Sequence, residues 1–206
     1  MKLVIKSLLI LTITLLSNSV FAKQEKLSGA ELYQYYCHEC HDNAGNSLTK
    51  TAPIIAGFSA ILLFDTLAQF KQGDRKSTQV KTLDNNHTSM ADISQELTEE
   101  ETESISLYLS KQSFKPAIQH SDSLHATQGK QLHEDLCNDC HGDYGKSALD
   151  DAPILAGQWK DYLSKQFEQL SNHERYMPRR MERKFRKLSE QDKISLIAFY
   201  TKNPQQ

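Results

Sequence analysis

One five-residue pattern occurs twice, a hundred positions apart: Cys37-His38-Glu39-Cys40-His41 and Cys137-Asn138-Asp139-Cys140-His141. The two copies contain all four cysteines of the chain. Each is C-x-x-C followed at once by His, the spacing of a c-type haem attachment. Thiols one helical turn apart can each add to a vinyl group on one porphyrin edge. The next residue's imidazole is then held under the ring, where it can ligate iron. Cys37, Cys40, Cys137 and Cys140 are therefore read as attachment points and His41 and His141 as proximal iron ligands, so two covalent haem c groups are expected. The competing readings are weaker. A dithiol redox pair needs neither the adjacent histidine nor a second copy, and a four-cysteine zinc site usually brings its halves within about 15–20 residues.

The repetition extends well beyond the motif. Gly29 and Gly129 each stand eight residues before the first cysteine, and Ala52-Pro53-Ile54-Ile55-Ala56-Gly57 returns as Ala152-Pro153-Ile154-Leu155-Ala156-Gly157. The offset then falls to 91, pairing Met90 with Met181 and Leu97 with Leu188. Nine extra polar residues thus lie in the first copy, between about Lys71 and Ser89, a stretch suited to a surface loop. Such self-similarity makes the chain an internal duplication.

Each copy reads as all-α. An opening helix runs from Gly29 or Gly129 into the cysteines, with Leu32, Tyr33 and Tyr36 on one face. Middle helices are predicted over roughly Ser59 to Gln72 and Gln158 to Leu170. The last helices start at Thr98-x-x-Glu101, a capping box, and at Ser189-x-x-Asp192, a looser one. No strand alternation competes. The expected domains are 23–115 and 116–206, joined through the linker-like stretch from Ser113 to Ala126 in which Lys115-Pro116 halts the preceding helix.

Residues 1–22 read as a cleavable export signal: Lys2 and Lys6 precede the apolar run Leu8 to Leu16, and Val20-Phe21-Ala22 supplies the cleavage site. That run is shorter than the ~20 residues of a membrane span. A soluble chain in a compartment such as the bacterial periplasm is expected. The net charge of −2 becomes −4 once Lys2 and Lys6 are removed, which argues against a nucleic-acid partner. Charge is unevenly spread: Glu96 to Glu103 is acidic, whereas Arg175, Arg179, Arg180, Arg183, Lys184, Arg186 and Lys187 are basic.

The ligand opposite each histidine decides the chemistry. An open iron admits peroxide or oxygen, whereas methionine closes it and leaves electron transfer. Methionine is more often core filler. Met90 and Met181, however, each precede the last helix of their copy by the same distance, so they are the candidate second ligands. Met177, His87 and His173 compete, but the two histidines do not align with each other. His38, His120, His125 and His133 are read as solvent-facing or linker residues.

Over essentially the whole chain after residue 22, the paired motifs, the Ala-Pro-Ile-x-Ala-Gly segments and the two methionines resemble the dihaem cytochrome c4 family and the related cytochrome subunit of flavocytochrome c sulfide dehydrogenase. The resemblance implies two tandem class I cytochrome c domains packed about a pseudo-twofold axis. It also implies that the Pro53 and Pro153 carbonyls accept hydrogen bonds from the His41 and His141 rings, fixing each imidazole. The basic segment from Asn172 to Lys187 is short for a free c4 and closer to the flavocytochrome subunit, although no G-x-G-x-x-G occurs and any flavin would belong to a partner. The expected function is a carrier of electrons between redox partner proteins, with docking to a membrane oxidase or a flavoprotein subunit possible. Two alternatives are an electron-accepting subunit of a flavoprotein oxidoreductase and a dihaem peroxidase.

Overall fold

The computed structural model describes residues 26–202, so the export signal read in residues 1–22 lies outside it. The first half contains α1 (Gly29–Tyr36), the one-turn α2 (His38–His41), α3 (Ala60–Gln72), a hairpin of β1 (Val80–Lys81) and β2 (His87–Thr88), α4 (Met90–Glu96) and α5 (Glu99–Ser110). The second half contains α6 (Ser123–Leu136), a turn α7 (Gly142–Gly145), α8 (Lys160–Ser171), α9 (Arg179–Phe185) and α10 (Glu190–Thr201). The reading as all-α is met, with the small hairpin as its one exception among the described residues.

Local sequence sets the helix starts. Ser28, Thr98 and Ser189 each accept a bond from the N–H three residues on, while Glu31, Glu101 and Asp192 bond back to the cap, so α1, α5 and α10 begin with complete capping boxes. In each half the first helix crosses the last. α1 meets α5 where Gly29 faces the Ser104 carbonyl, and α6 meets α10 where Gly129 faces the Ser195 carbonyl. Only a residue without Cβ permits that approach.

One sequence expectation is corrected. The stretch to Ala126 is not all linker, because Asp122 accepts bonds from Leu124 N (2.9 Å) and His125 N (3.2 Å) and starts α6 six residues before Gly129. The extra residues of the first half do lie at the surface. They form the β1–β2 hairpin, with Val80 paired to Thr88 and Lys81 to His87.

The halves share a core. Ile54, Ala56, Ala117 and Trp159 form one buried cluster, and Ile154 of the second half packs among the first half's Leu32, Phe58, Leu63 and Leu109. The Gln158 amide, 1 % exposed, replaces a strand at this junction: Oε1 accepts from Ile54 N (3.0 Å) and Nε2 donates to Ile54 O (2.6 Å). Trp159 Nε1 donates to Ser47 O (2.8 Å), and Tyr162 N to Lys50 O (3.2 Å). Gln158→Leu keeps the volume but orphans both Ile54 groups. It is expected to cost about 1–3 kcal/mol for each buried group left unpaired, read as a lower urea midpoint. A loss within the ~0.5 kcal/mol of an ordinary surface change would mean that other partners replace the amide.

Candidate functional site

Each motif continues the helix before it. Cys37 N bonds Tyr33 O (2.9 Å) and His41 N bonds Cys37 O (3.0 Å); in the second half Cys137 N bonds His133 O (2.8 Å) and His141 N bonds Cys137 O (2.9 Å). Both thiols and the imidazole of each half therefore lie on one turn. None of the four cysteines is in a disulfide. Burial pushes the Cys37 thiol up to about 12 and raises Cys40 and Cys137, the reverse of the lowered pKa of a redox dithiol. The cysteines do not converge on a shared metal site with other ligands among the described residues.

The segments that follow are pinned to the motif. Gly45 O accepts from Ile55 N (2.7 Å) and Ala56 N (3.1 Å), and Gly145 O from Leu155 N (2.8 Å) and Ala156 N (3.0 Å). Gly45 has φ +84, and a Cβ there would stand 2.8 Å from Ala56 N, so the turn needs glycine. Tyr33 locks the same loop: its hydroxyl donates to Asp42 O (2.5 Å) and accepts from Gly45 N (2.8 Å).

His41 is buried, and its Nδ1 lies 3.0 Å from Pro53 O. A carbonyl only accepts, so Nδ1 carries the proton and the Nε2 lone pair is left to ligate. Burial lowers the pKa, keeping the ring neutral. His141 differs. Burial pushes it down to about 4, yet its buried Nδ1 has no hydrogen-bond partner. The Pro153 carbonyl still faces the His141 ring and opposes that lowering, in a looser contact than the one Pro53 makes with His41. Its loop takes another path, with Asp143 (φ 50) and Tyr144 (φ 55) both left-handed.

The methionine-bearing segments come back to the motifs through the acid inside each one. Glu39 Oε1 accepts from Leu83 N at the tip of the hairpin (2.5 Å), upstream of Met90, which opens α4 and is half-buried. Asp139 Oδ2 pairs with Lys184 Nζ (2.7 Å), one turn after Met181 in α9, also half-buried. The competing His87 and His173 are exposed, on β2 and in the turn after α8. Met177 is half-buried just before Pro178, which caps α9.

One reading is overturned and two residues were missed. His133, expected at the surface, is fully buried, with Nδ1 2.9 Å from the Tyr200 hydroxyl. It stands a hundred positions after Tyr33, a core position in a repeat, and that register was the available signal. Arg75 and Arg175, also a hundred apart, pair through their backbones across the junction between the halves. Arg75 is 6 % exposed, and its Nε has no partner. Two thiols and a neutral imidazole on one turn in each half, with an orphaned buried donor at Arg75 Nε, fit a covalently held porphyrin and its acidic side chains.

Comparisons with known proteins follow the two halves. The family described as cytochrome c matches residues 27–113, and cytochrome c oxidase, cbb3-type, subunit III matches residues 125–199. No curated protein matches the sequence significantly. Reduced recombinant cytochrome c4 from Pseudomonas stutzeri is similar at TM-score 0.68 and 25% identity, over 84% of this chain and 95% of that one. Cytochrome c4 from Acidithiobacillus ferrooxidans has the same fold at TM-score 0.66 and 21% identity, over 81% and 98% of the two chains. A thiosulfate dehydrogenase from Marichromatium purpuratum shares the fold at TM-score 0.66 and 22% identity, over 82% of this chain but 36% of that one.

Proposed function

Because the chain is a dihaem cytochrome of the c4-like family, with two covalently attached haem c groups, we propose that it is a soluble periplasmic electron carrier with His41 and Met90 on one iron and His141 and Met181 on the other. The observation that carries the ligand assignment is the grip of Glu39 and Asp139 on the segments that bear the two methionines. A bound haem supplies a one-electron ferric/ferrous couple. The chain's task is to hold the ligands still. Neutral rings at His41 and His141 keep a lone pair available, and thioether ligation favours the ferrous state and a positive potential. Localisation rests on residues 1–22 reading as an export signal, which the mass of the exported chain would test. Among the described residues no helix is long and apolar enough to cross a membrane.

A cytochrome of this kind needs redox partner proteins. Arg179, Arg180, Arg183 and Lys187 are exposed and make no ion pair with described residues, so α9 and its end offer a positive face to an acidic partner. Charge of this kind acts mainly on the rate of encounter, and salt screens it over about 8–10 Å. The triple change of Arg179, Arg180 and Arg183 to Gln is expected to slow reduction by an acidic redox protein about tenfold at low ionic strength and far less at high. Equal slowing at both would remove steering from the account.

Redox titration followed by visible spectroscopy tests the proposal. Two low-spin centres with positive potentials and the weak far-red band of methionine ligation are expected. Met181→Ala should open one iron, lower its potential and leave the other centre in place. If potential and spin state stay put, Met181 is not the ligand, and an open iron in the unmodified protein would favour the peroxidase alternative.

A further inference from the structure

The first half carries an open groove of about 400 Å³ between the outer faces of α3 and α5. Leu63, Ile105 and Leu109 turn inward to the core, and Ile61, Phe64 and Leu107 line the groove. Ile61 is 61 % exposed and Leu107 45 %. Three exposed acids, Asp65, Glu99 and Glu103, rim it and make no ion pair with described residues. At its floor Ser106, 1 % exposed, has a hydroxyl without a hydrogen-bond partner. The duplication supplies an internal comparison, because α8 starts 100 positions after α3 and α10 starts 91 after α5. There Asp161, Ser164 and Ala198 replace Ile61, Phe64 and Leu107, and Lys165 and Ile194 replace Asp65 and Glu103. The same architecture is therefore built without an apolar, acid-rimmed groove. That face of the second half is also covered. The stretch between the halves crosses it: Gln119 Oε1 accepts from Lys160 N at the start of α8 (2.9 Å), and Ser121 Oγ donates to Ala198 O in α10 (2.5 Å). Lys160 and Ala198 are the counterparts of Ala60 and Leu107, which both line the open groove.

Exposed apolar side chains rimmed by polar groups mark an interaction surface, and the sign of its charge selects the partner. We propose that the α3–α5 groove docks a short extended segment of a partner protein, seated as residues 119–121 sit against α8 and α10. The segment carries an apolar side chain with lysine or arginine two residues to either side. In an extended chain residues two apart share a face and lie about 6.6 Å apart. The apolar side chain then enters between Ile61, Phe64 and Leu107, and the flanking cations reach the acids on the rim. The Ser106 hydroxyl is left for a main-chain group of the incoming segment. The proposal goes beyond the carrier reading and holds whatever ligates the irons, because the groove lies on the outer faces of its helices.

The test is calorimetric titration of the intact dihaem protein with two acetylated and amidated peptides of equal charge, Lys-Ser-Leu-Ser-Lys and Lys-Ser-Ser-Ser-Lys. At low ionic strength the leucine peptide is expected to bind about tenfold more tightly, the worth of one buried anchor, and salt should weaken both. Ile61→Asp with Leu107→Ala gives the first half the residues of the second and should erase the preference for leucine. Asp65→Asn with Glu103→Gln should weaken both peptides about tenfold. Glu134→Gln with Asp135→Asn, the same charge change on exposed positions of α6, should leave both titrations as they are. All four groove positions are exposed, so helix content and haem mass should match the wild type. Should the Ile61 pair fail to fold, Leu107→Ala alone carries the expectation. Equal affinity for the two peptides, or a preference that survives in the Ile61 and Leu107 variant, overturns the proposal. So does self-association at low salt that this variant abolishes, since the occupant would then be the basic α9 of a second copy. None of these readouts needs redox activity, so failure of the carrier reading is seen separately, as the lack of two reversible low-spin couples.

Discussion

A chain with alanine at both Cys137 and Cys140 is expected to carry the mass of one haem instead of two and about half the haem absorbance per polypeptide. The effect should reach the fold of the second half. That half runs to fewer than a hundred residues, a size at which an ordinary core is marginal. Its buried cluster of Leu163, Leu196, Ile197 and Tyr200 packs directly against Cys137, so the missing group would leave that face open. Far-UV circular dichroism should lose helix, with Gln158 and Trp159 dragging on the first half through Ile54 and Ser47. The single change Cys137→Ala should be milder, retaining one thioether. Mass spectrometry showing two haems on the double variant would remove the second attachment site.

Gly129→Val is expected to be strongly destabilising. A Cβ at Gly129 would run into the Ser195 carbonyl and stand 2.8 Å from Phe199 Cβ, and both belong to α10, which cannot retreat without opening the second half's core. Overpacking of this kind costs about 1–3 kcal/mol and more where backbone must move. At roughly 2–4 °C per kcal/mol for a chain of this size, melting should fall by several degrees. Gly73→Ala is the control. Nothing lies within 4 Å of its Cβ position, so only the left-handed φ of +82 is penalised, at ~1 kcal/mol. Comparable losses at both sites would mean that backbone conformation, and not helix contact, governs Gly129.

Much of this was legible because duplication turns one weak signal into two. A lone Ser-x-x-Asp says little, but Ser189 read beside Thr98 marked a helix start, and Asp192 does complete the box. Gly29 and Gly129 were visible as a repeated position, though only the crossing of helices explains why that position must be glycine. The hairpin escaped notice because strands as short as Val80–Lys81 and His87–Thr88 carry no alternation to detect. The start of α6 was missed because it depends on a single cap, Asp122, in a stretch rich in turn formers. His133 was misplaced by judging histidine as a residue type and ignoring its register with Tyr33. The arginine junction was harder still. Arg175 sits in a run of basic residues that reads as surface, and only tertiary contact with its counterpart, Arg75, separates it from the others.

The pairing of Arg75 with Arg175 is contact between the same position of two copies, as in a twofold dimer whose subunits meet through one shared patch. Here a peptide chain joins the copies, so what would be a concentration-dependent encounter becomes an intramolecular one that dilution cannot reverse. Tethering also relaxes a constraint on heredity. A homodimer must write every change into both subunits, whereas this molecule keeps tyrosine at 33 and histidine at 133, and can give its two metal sites separate properties.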